Sequence, residues 1–349
     1  MDERVRLFDA RLAALRTLLE RHSAGALVLR KRRDFAWLTV GGQSHVLLAT
    51  AEGTSPIVIT AGDAVALTPV NEHRRIVDEE LAGLPLRAES LPWWDERATD
   101  EAIAGLAGGG RVLEDTEVAG EHSAELGQLA GIERTRMAEL ATDVRAAMGE
   151  GLGALRPGMS EHEVGAMIES RLAAASARVP VLLAAADERI DRYRHPLPTA
   201  TPVRQRLMVV VVAERFGLHV AHTEFAELEP RPAHLQRRAD GLSAVLAAMR
   251  GQSVPGNTLA GVLRAARAAY GEQGMADEWT LHHQGGTIGY QAREKIATPA
   301  DETLIRAGMA LAWNPSAIGF KLEETLLLDD AGGQRVLTTT STTVAEGRD

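Results

Sequence analysis

Seven consecutive apolar residues, Leu207-Met208-Val209-Val210-Val211-Val212-Ala213, constrain the fold of this chain more than any other segment. The run is short and rich in β-branched residues, so it predicts a strand with apolar side chains on both faces. Such a strand must be covered on both sides and lie centrally in its sheet. A turn at Gly217 follows, and then alternation through Leu218-His219-Val220-Ala221-His222-Thr223-Glu224-Phe225. Period-two geometry puts His219, Ala221 and Thr223 on one face and His222 and Glu224 on the other.

The rest of the chain falls into two blocks. Val5, Phe8, Leu12, Leu15 and Leu19 recur at helical spacing over residues 3–22. Apolar runs at 25–29, 44–49, 57–59 and 65–67 are too short for helices and lie close to turn residues, which predicts strands. Helical patterns at 71–82 and 98–107 complete an α/β domain, and Ala119-Gly120-Glu121-His122 is the expected join. A second block opens with a long helix from Glu133 to Leu155, stopped by Arg156-Pro157-Gly158. Ser160 and Glu163 form a capping-box signature for the next helix. Strands are expected at 179–186 and 207–213, helices at 233–250 and 258–273, and strands at 286–291, 309–314, 320–328 and 335–340. The expected class is therefore α+β, with a smaller first domain over 1–122 and a larger second domain over 123–349.

Composition narrows the function. Of 349 residues none is cysteine, which excludes disulfide and thiolate chemistry and suits a reducing cytoplasm. The net charge of −10 argues against nucleic acid or an anionic membrane surface as partner. The basic cluster Arg30-Lys31-Arg32-Arg33 is short, and Asp34 follows it at once. No apolar run is long enough to span a bilayer, and the first dozen residues do not read as a signal peptide.

Five motifs in register along the second block resemble the creatinase, prolidase and aminopeptidase P family, the M24 peptidases with the pita-bread fold. Leu155-Arg156-Pro157-Gly158-Met159-Ser160-Glu161 is similar to its helix-linking motif, and Arg194-His195-Pro196 to the loop that supplies an active-site His. Gly285-Gly286-Thr287-Ile288-Gly289 stands where the family has G-H-G-I-G. Ala307-Gly308-Met309 with Asn314-Pro315 resembles P-G-M followed by E-P. Gly319-Phe320-Lys321-Leu322-Glu323-Glu324 resembles G-[VI]-R-[IL]-E-D. The resemblance implies a pita-bread domain preceded by a creatinase-like α/β domain, in a homodimer.

It also implies a departure. The family's metallopeptidases hold two divalent ions with two Asp, one His and two Glu. On this chain those positions are similar to Val210, Ala221, Gly286, Asn314 and Glu323, and only Glu323 keeps a carboxylate. Val, Ala and Gly offer no side-chain donor, so the expectation is no metal and no other cofactor. Creatinase is the family's precedent for hydrolysis without metal. Likeness to it makes His195 the proton carrier, Glu323 the positioning carboxylate and Arg293 the substrate's anchor. Its other carboxylate corresponds to Thr223, which disfavours creatine itself as substrate.

Read on their own, the remaining candidates carry bland rivals. His219, His282 and His283 could line a pocket or simply be packed, as buried His often is. Arg293 beside Glu294 could be an ion pair. Trp37, with Thr39 and His45, could wall a site from the first domain or fill its core, and Trp93-Trp94 is expected to pack near the join. A single-metal site built from His219, His282, His283 and Glu323 lacks any recognisable ligand spacing. The resulting expectation is a metal-independent hydrolase or lyase cleaving a carbon–nitrogen bond of a small carboxylate-bearing compound. His195 and Glu323 would be catalytic, and Arg293, His219, Thr223, His282, His283, Asn314 and Trp37 would bind substrate. The rivals are a catalytically silent pita-bread binding or regulatory protein and an Xaa-Pro-type metallopeptidase with displaced ligands.

Overall fold

The structure is a computed structural model that describes residues 2–121 and 127–344. It divides into two compact units, Met1–Leu126 with Phe216–Leu218, and Gly127–Arg215 with His219–Asp349. The join expected at Ala119 to His122 ends on His122, outside the described residues.

The first unit is a five-stranded sheet in the order β4-β3-β2-β1-β5, with β1 Ala26–Lys31, β2 Glu52–Ile59, β3 Ala64–Pro69, β4 Arg87–Leu91 and β5 Val112–Glu114. Helices Glu3–Arg21 and Ala98–Ala107 match the periodic segments of the sequence. One strand expectation fails: Ser44 to Ala49 is irregular, with Val46, Leu47 and Leu48 60%, 66% and 52% exposed. Both sides of β1 are already taken, by β2 and β5, so this run has no ladder to join there. Trp93 and Trp94 do not pack as expected either. They are 67% and 68% exposed and touch each other edge-to-face. The basic cluster is neutralised locally, Arg30 by Glu114, Lys31 by Asp115 and Arg33 by Asp34.

In the second unit, helices Gly131–Gly153, Glu161–Ala174, Ala233–Gln252 and Leu259–Glu272 accompany two sheets. The first sheet runs β16-β8-β7-β6, from β6 Arg178–Ala186, β7 Arg206–Arg215, β8 Leu218–Glu227 and β16 Thr342–Val344. As the apolar run requires, β7 is interior and buried from Leu207 through Glu214. The second sheet runs β10-β9-β11-β14-β15, from β9 Gly285–Ile288, β10 Lys295–Ile296, β11 Ala310–Trp313, β14 Glu324–Leu328 and β15 Gln334–Thr339. β12 Ser316–Ala317 and β13 Phe320–Lys321 form a separate ribbon. Threonine hydroxyls tie the two sheets together: Thr325 and Thr338 each donate to the Ala221 carbonyl at 2.9 Å.

The continuous strand expected over 320–328 is broken into β13 and β14, and the break falls on Leu322-Glu323. That interruption frees the Glu323 region from a regular ladder. The capping box forms as read, with Ser160 N donating to Glu163 Oε2 at 2.7 Å and Glu163 N to Ser160 Oγ at 3.2 Å. Gly158 takes a φ of +89°, as the Pro-Gly turn demands.

Candidate active site

Two segments carry the histidines, and buried polar contacts hold each of them. Glu161, fully buried, accepts from Ala186 N at 2.7 Å and from Thr199 N and Oγ1 at 2.8 Å, and also pairs with Arg189. This anchors the loop that follows His195 and explains why a carboxylate ends the Arg156–Glu161 motif. Arg194 pairs with Glu278 of the short helix Glu278–Leu281, which leads directly into His282 and His283. Gln284 then donates to the His282 carbonyl at 2.6 Å and accepts from the buried Tyr270 hydroxyl at 2.8 Å.

The result is a cluster of three imidazoles. His195 Nε2 and His282 Nε2 are 2.9 Å apart, so one donates and the other accepts. His282 and His283 stack with ring centroids 4.4 Å apart. Burial, reinforced by the Lys321 charge, lowers the His282 pKa to about 2; burial with Arg293 and Lys321 lowers His283 to about 4. Burial and then Lys321 also depress the more exposed His195, against the pull of Glu323. All three are therefore neutral bases near pH 7.

Beside them lies a buried charge cluster. Glu323 is 1% exposed. It accepts from Thr223 Oγ1 at 2.6 Å and from Arg293 Nη2 at 3.0 Å, with Lys321 Nζ at 3.4 Å. Burial alone would raise its pKa, but Lys321 and Arg293 outweigh that and hold it below the usual carboxylate range. Burial likewise lowers Lys321. Two cations face one anion here, which leaves a net positive site. Arg293 spends its second terminal nitrogen on the Ala292 carbonyl at 2.6 Å, so its fork is not open for two-pronged carboxylate binding. Lys321 has one polar partner among the described residues, Glu323, and keeps donors to spare. The sequence reading missed Lys321 as a site residue, although two-residue strand spacing from Glu323 puts Lys321 on the same face.

Thr223, Arg293, Glu323, His195, His282 and His283 thus come together. His219 Nδ1 lies 3.1 Å from the Gly289 carbonyl, at the start of β8. Asn314 is buried next to Gln284, and its Oδ1 lacks a hydrogen-bond partner. Trp37 is a core residue of the first unit, 1% exposed, with Arg11 stacked 4.7 Å over its ring; a buried indole offers no face to a substrate. A small hollow beside His282, with room for about one water molecule, is lined by Ile190, Tyr193, Met208, Ser316, Phe320 and Lys321, among others. The buried Ser316 hydroxyl is unpartnered.

A dinuclear metal centre does not fit. Val210 is packed in the main core cluster, and Ala221 is fully buried, its N–H and carbonyl taken up by threonines. At Gly286 a Cβ would lie 1.9 Å from the Lys295 carbonyl oxygen, so no His can stand there without moving β10. Glu323 is already paired with two cations. One committed carboxylate and one amide cannot hold two hard divalent ions.

No family model matches this chain, and no curated protein matches it in sequence. Solved structures do. A dipeptidase from Pyrococcus horikoshii OT3 superposes with a TM-score of 0.78 at 16% identity, covering 96% of this chain and 99% of its own. Dipeptidase PepE from Mycobacterium ulcerans gives 0.76 at 17%, covering 98% of each chain. The N-terminal domain of the FACT complex subunit SPT16 from Cicer arietinum gives 0.71 at 13%, covering 95% of this chain and 96% of its own. The motifs of the second block and these superpositions agree: this chain has the two-domain pita-bread fold of the prolidases and their structural relatives.

Proposed function

We propose that this chain is a hydrolase that cleaves a carbon–nitrogen bond in a small carboxylate-bearing compound without the paired metals of its fold relatives. One observation carries the reading: a neutral, partly exposed imidazole pair, His195 and His282, stands beside a buried net-positive cluster. Lys321 and Arg293 supply the positive field that attracts the substrate carboxylate, with Lys321 the cation that has free donors. His195 takes the proton of an attacking water and returns it to the leaving nitrogen, a role worth about a hundred- to ten-thousandfold. His282 Nε2 accepts the His195 Nε2 proton across 2.9 Å, which leaves His195 Nδ1 as the basic nitrogen and keeps the ring in register. Glu323 keeps the two cations in place and is itself fixed by Thr223.

The experiment is a turnover screen on small amides, dipeptides and N-substituted amino acids in the presence of a strong chelator. Activity that survives chelation and disappears in a folded His195→Ala variant supports the reading. Activity abolished by chelation sinks the metal-free mechanism. A second reading, a binding protein that performs no chemistry, is favoured by the likeness to the FACT subunit domain and by the loss of the ligand set. A ligand recovered unchanged after long incubation would support it.

A further inference from the structure

We infer that His195, His282 and His283 form a binding site for a single late transition-metal ion, distinct from the dinuclear centre that this chain cannot build. Among the described residues they make up a compact set of potential ligands, one nitrogen from each lying within 4.8 Å of the others. Three imidazoles with one open position are a recognised zinc arrangement, with metal–nitrogen bonds of about 2.0–2.1 Å. Closing the set onto an ion draws these nitrogens together, and His195, the exposed member on a loop, is the one placed to move.

Three further observations point the same way. His282 Nδ1 and His283 Nδ1 are buried without hydrogen-bond partners, although such atoms are rarely left orphaned. The His282 backbone is held by the Glu278 helix and Gln284, and the His283 ring stacks on that of His282, so the two rings are pre-positioned. The rings are also unprotonated at neutral pH, which is the state a metal requires. The donor set is all nitrogen and carries no charge. It therefore selects zinc, cobalt, nickel or copper over magnesium and calcium, which demand oxygen. Lys321 and Arg293 nearby weaken binding of a bare dication and favour an anion, hydroxide or a carboxylate, as the fourth ligand.

The inference concerns the same side chains as the proposed hydrolysis, and the two separate cleanly. An ion on His195 removes it from proton transfer, so zinc should inhibit a reaction that chelated protein performs. The test is titration of chelator-stripped full-length protein with zinc and, separately, magnesium against a chromophoric competitor, together with zinc X-ray absorption on the wild-type protein. One equivalent of zinc, no magnesium, and a scattering shell of imidazole nitrogens are expected. His283→Ala and His195→Ala should each weaken zinc at least about 10–100-fold, the range already seen for groups one layer out from a metal. The absorption measurement needs no variant, so a misfolded substitution cannot rescue the idea. Zinc bound no more tightly than magnesium overturns it, as does a first shell of oxygens or an affinity indifferent to both substitutions. Any of these leaves the hydrolase reading standing, whereas an inactive protein that binds zinc through imidazoles does the reverse.

Discussion

Replacing Glu323 by Gln removes one negative charge and almost no volume, and leaves Lys321 and Arg293 facing each other without their counter-ion. Lys321 is buried, 5% exposed, and the Arg293 side chain is 13% exposed, so water replaces the lost carboxylate poorly. Removing one partner of a buried ion pair typically costs about 3–5 kcal/mol, mostly the penalty of an uncompensated charge. Two cations share Glu323 here, so the upper part of that range is expected. Lys321 can relieve part of the penalty by losing its proton, so the loss should shrink in alkaline buffer. A second change, Lys321→Met, removes one orphaned cation and should recover about 1–3 kcal/mol relative to additivity, the coupling expected of groups in contact. Chemical denaturation of wild type, both single variants and the double variant, fitted for the transition of the second unit, measures this cycle. A Glu323→Gln protein within about 0.5 kcal/mol of wild type, or strict additivity in the double variant, would refute the claim that Glu323 is the shared counter-ion of Lys321 and Arg293.

Acid should destabilise the metal-free protein well above the carboxylate range. The folded-state pKa of His282 is depressed to about 2 and that of His283 to about 4, both below the unfolded value of about 6.5. The unfolded chain therefore binds more protons below that value, and stability is full above about pH 6.5 and falls as pH drops from there. Each imidazole contributes a slope of up to about 1.4 kcal/mol per pH unit; a flat stability profile between about pH 7 and 5 in chelator would contradict the burial of both rings. Gly286→Ala should cost about 1–3 kcal/mol or more, because its Cβ lands 1.9 Å from a backbone oxygen; unchanged unfolding would mean that β9 and β10 pack more loosely than described.

Much of this architecture was legible in the chain. The apolar run through β7, the Ser160–Glu163 box and the helices at 3–21, 98–107 and 259–272 follow from local periodicity and capping chemistry, which act over a few residues. Local pattern failed at Ser44 to Ala49 and at the join within 320–328, where strand formation depends on a free neighbouring edge that the sequence does not record. The sequence alone also determined what the site lacks: Val210, Ala221, Gly286 and Asn314 cannot supply charged or imidazole ligands in any conformation. What the site has was decided by tertiary structure. Contacts spanning about a hundred residues bring Thr223 to Glu323 and His195 to His282, and burial then turns Lys321 and the imidazoles from ordinary titrating groups into strongly perturbed ones. Side-chain chemistry is written residue by residue, but the dielectric and the neighbours that set its strength exist only once distant segments have packed.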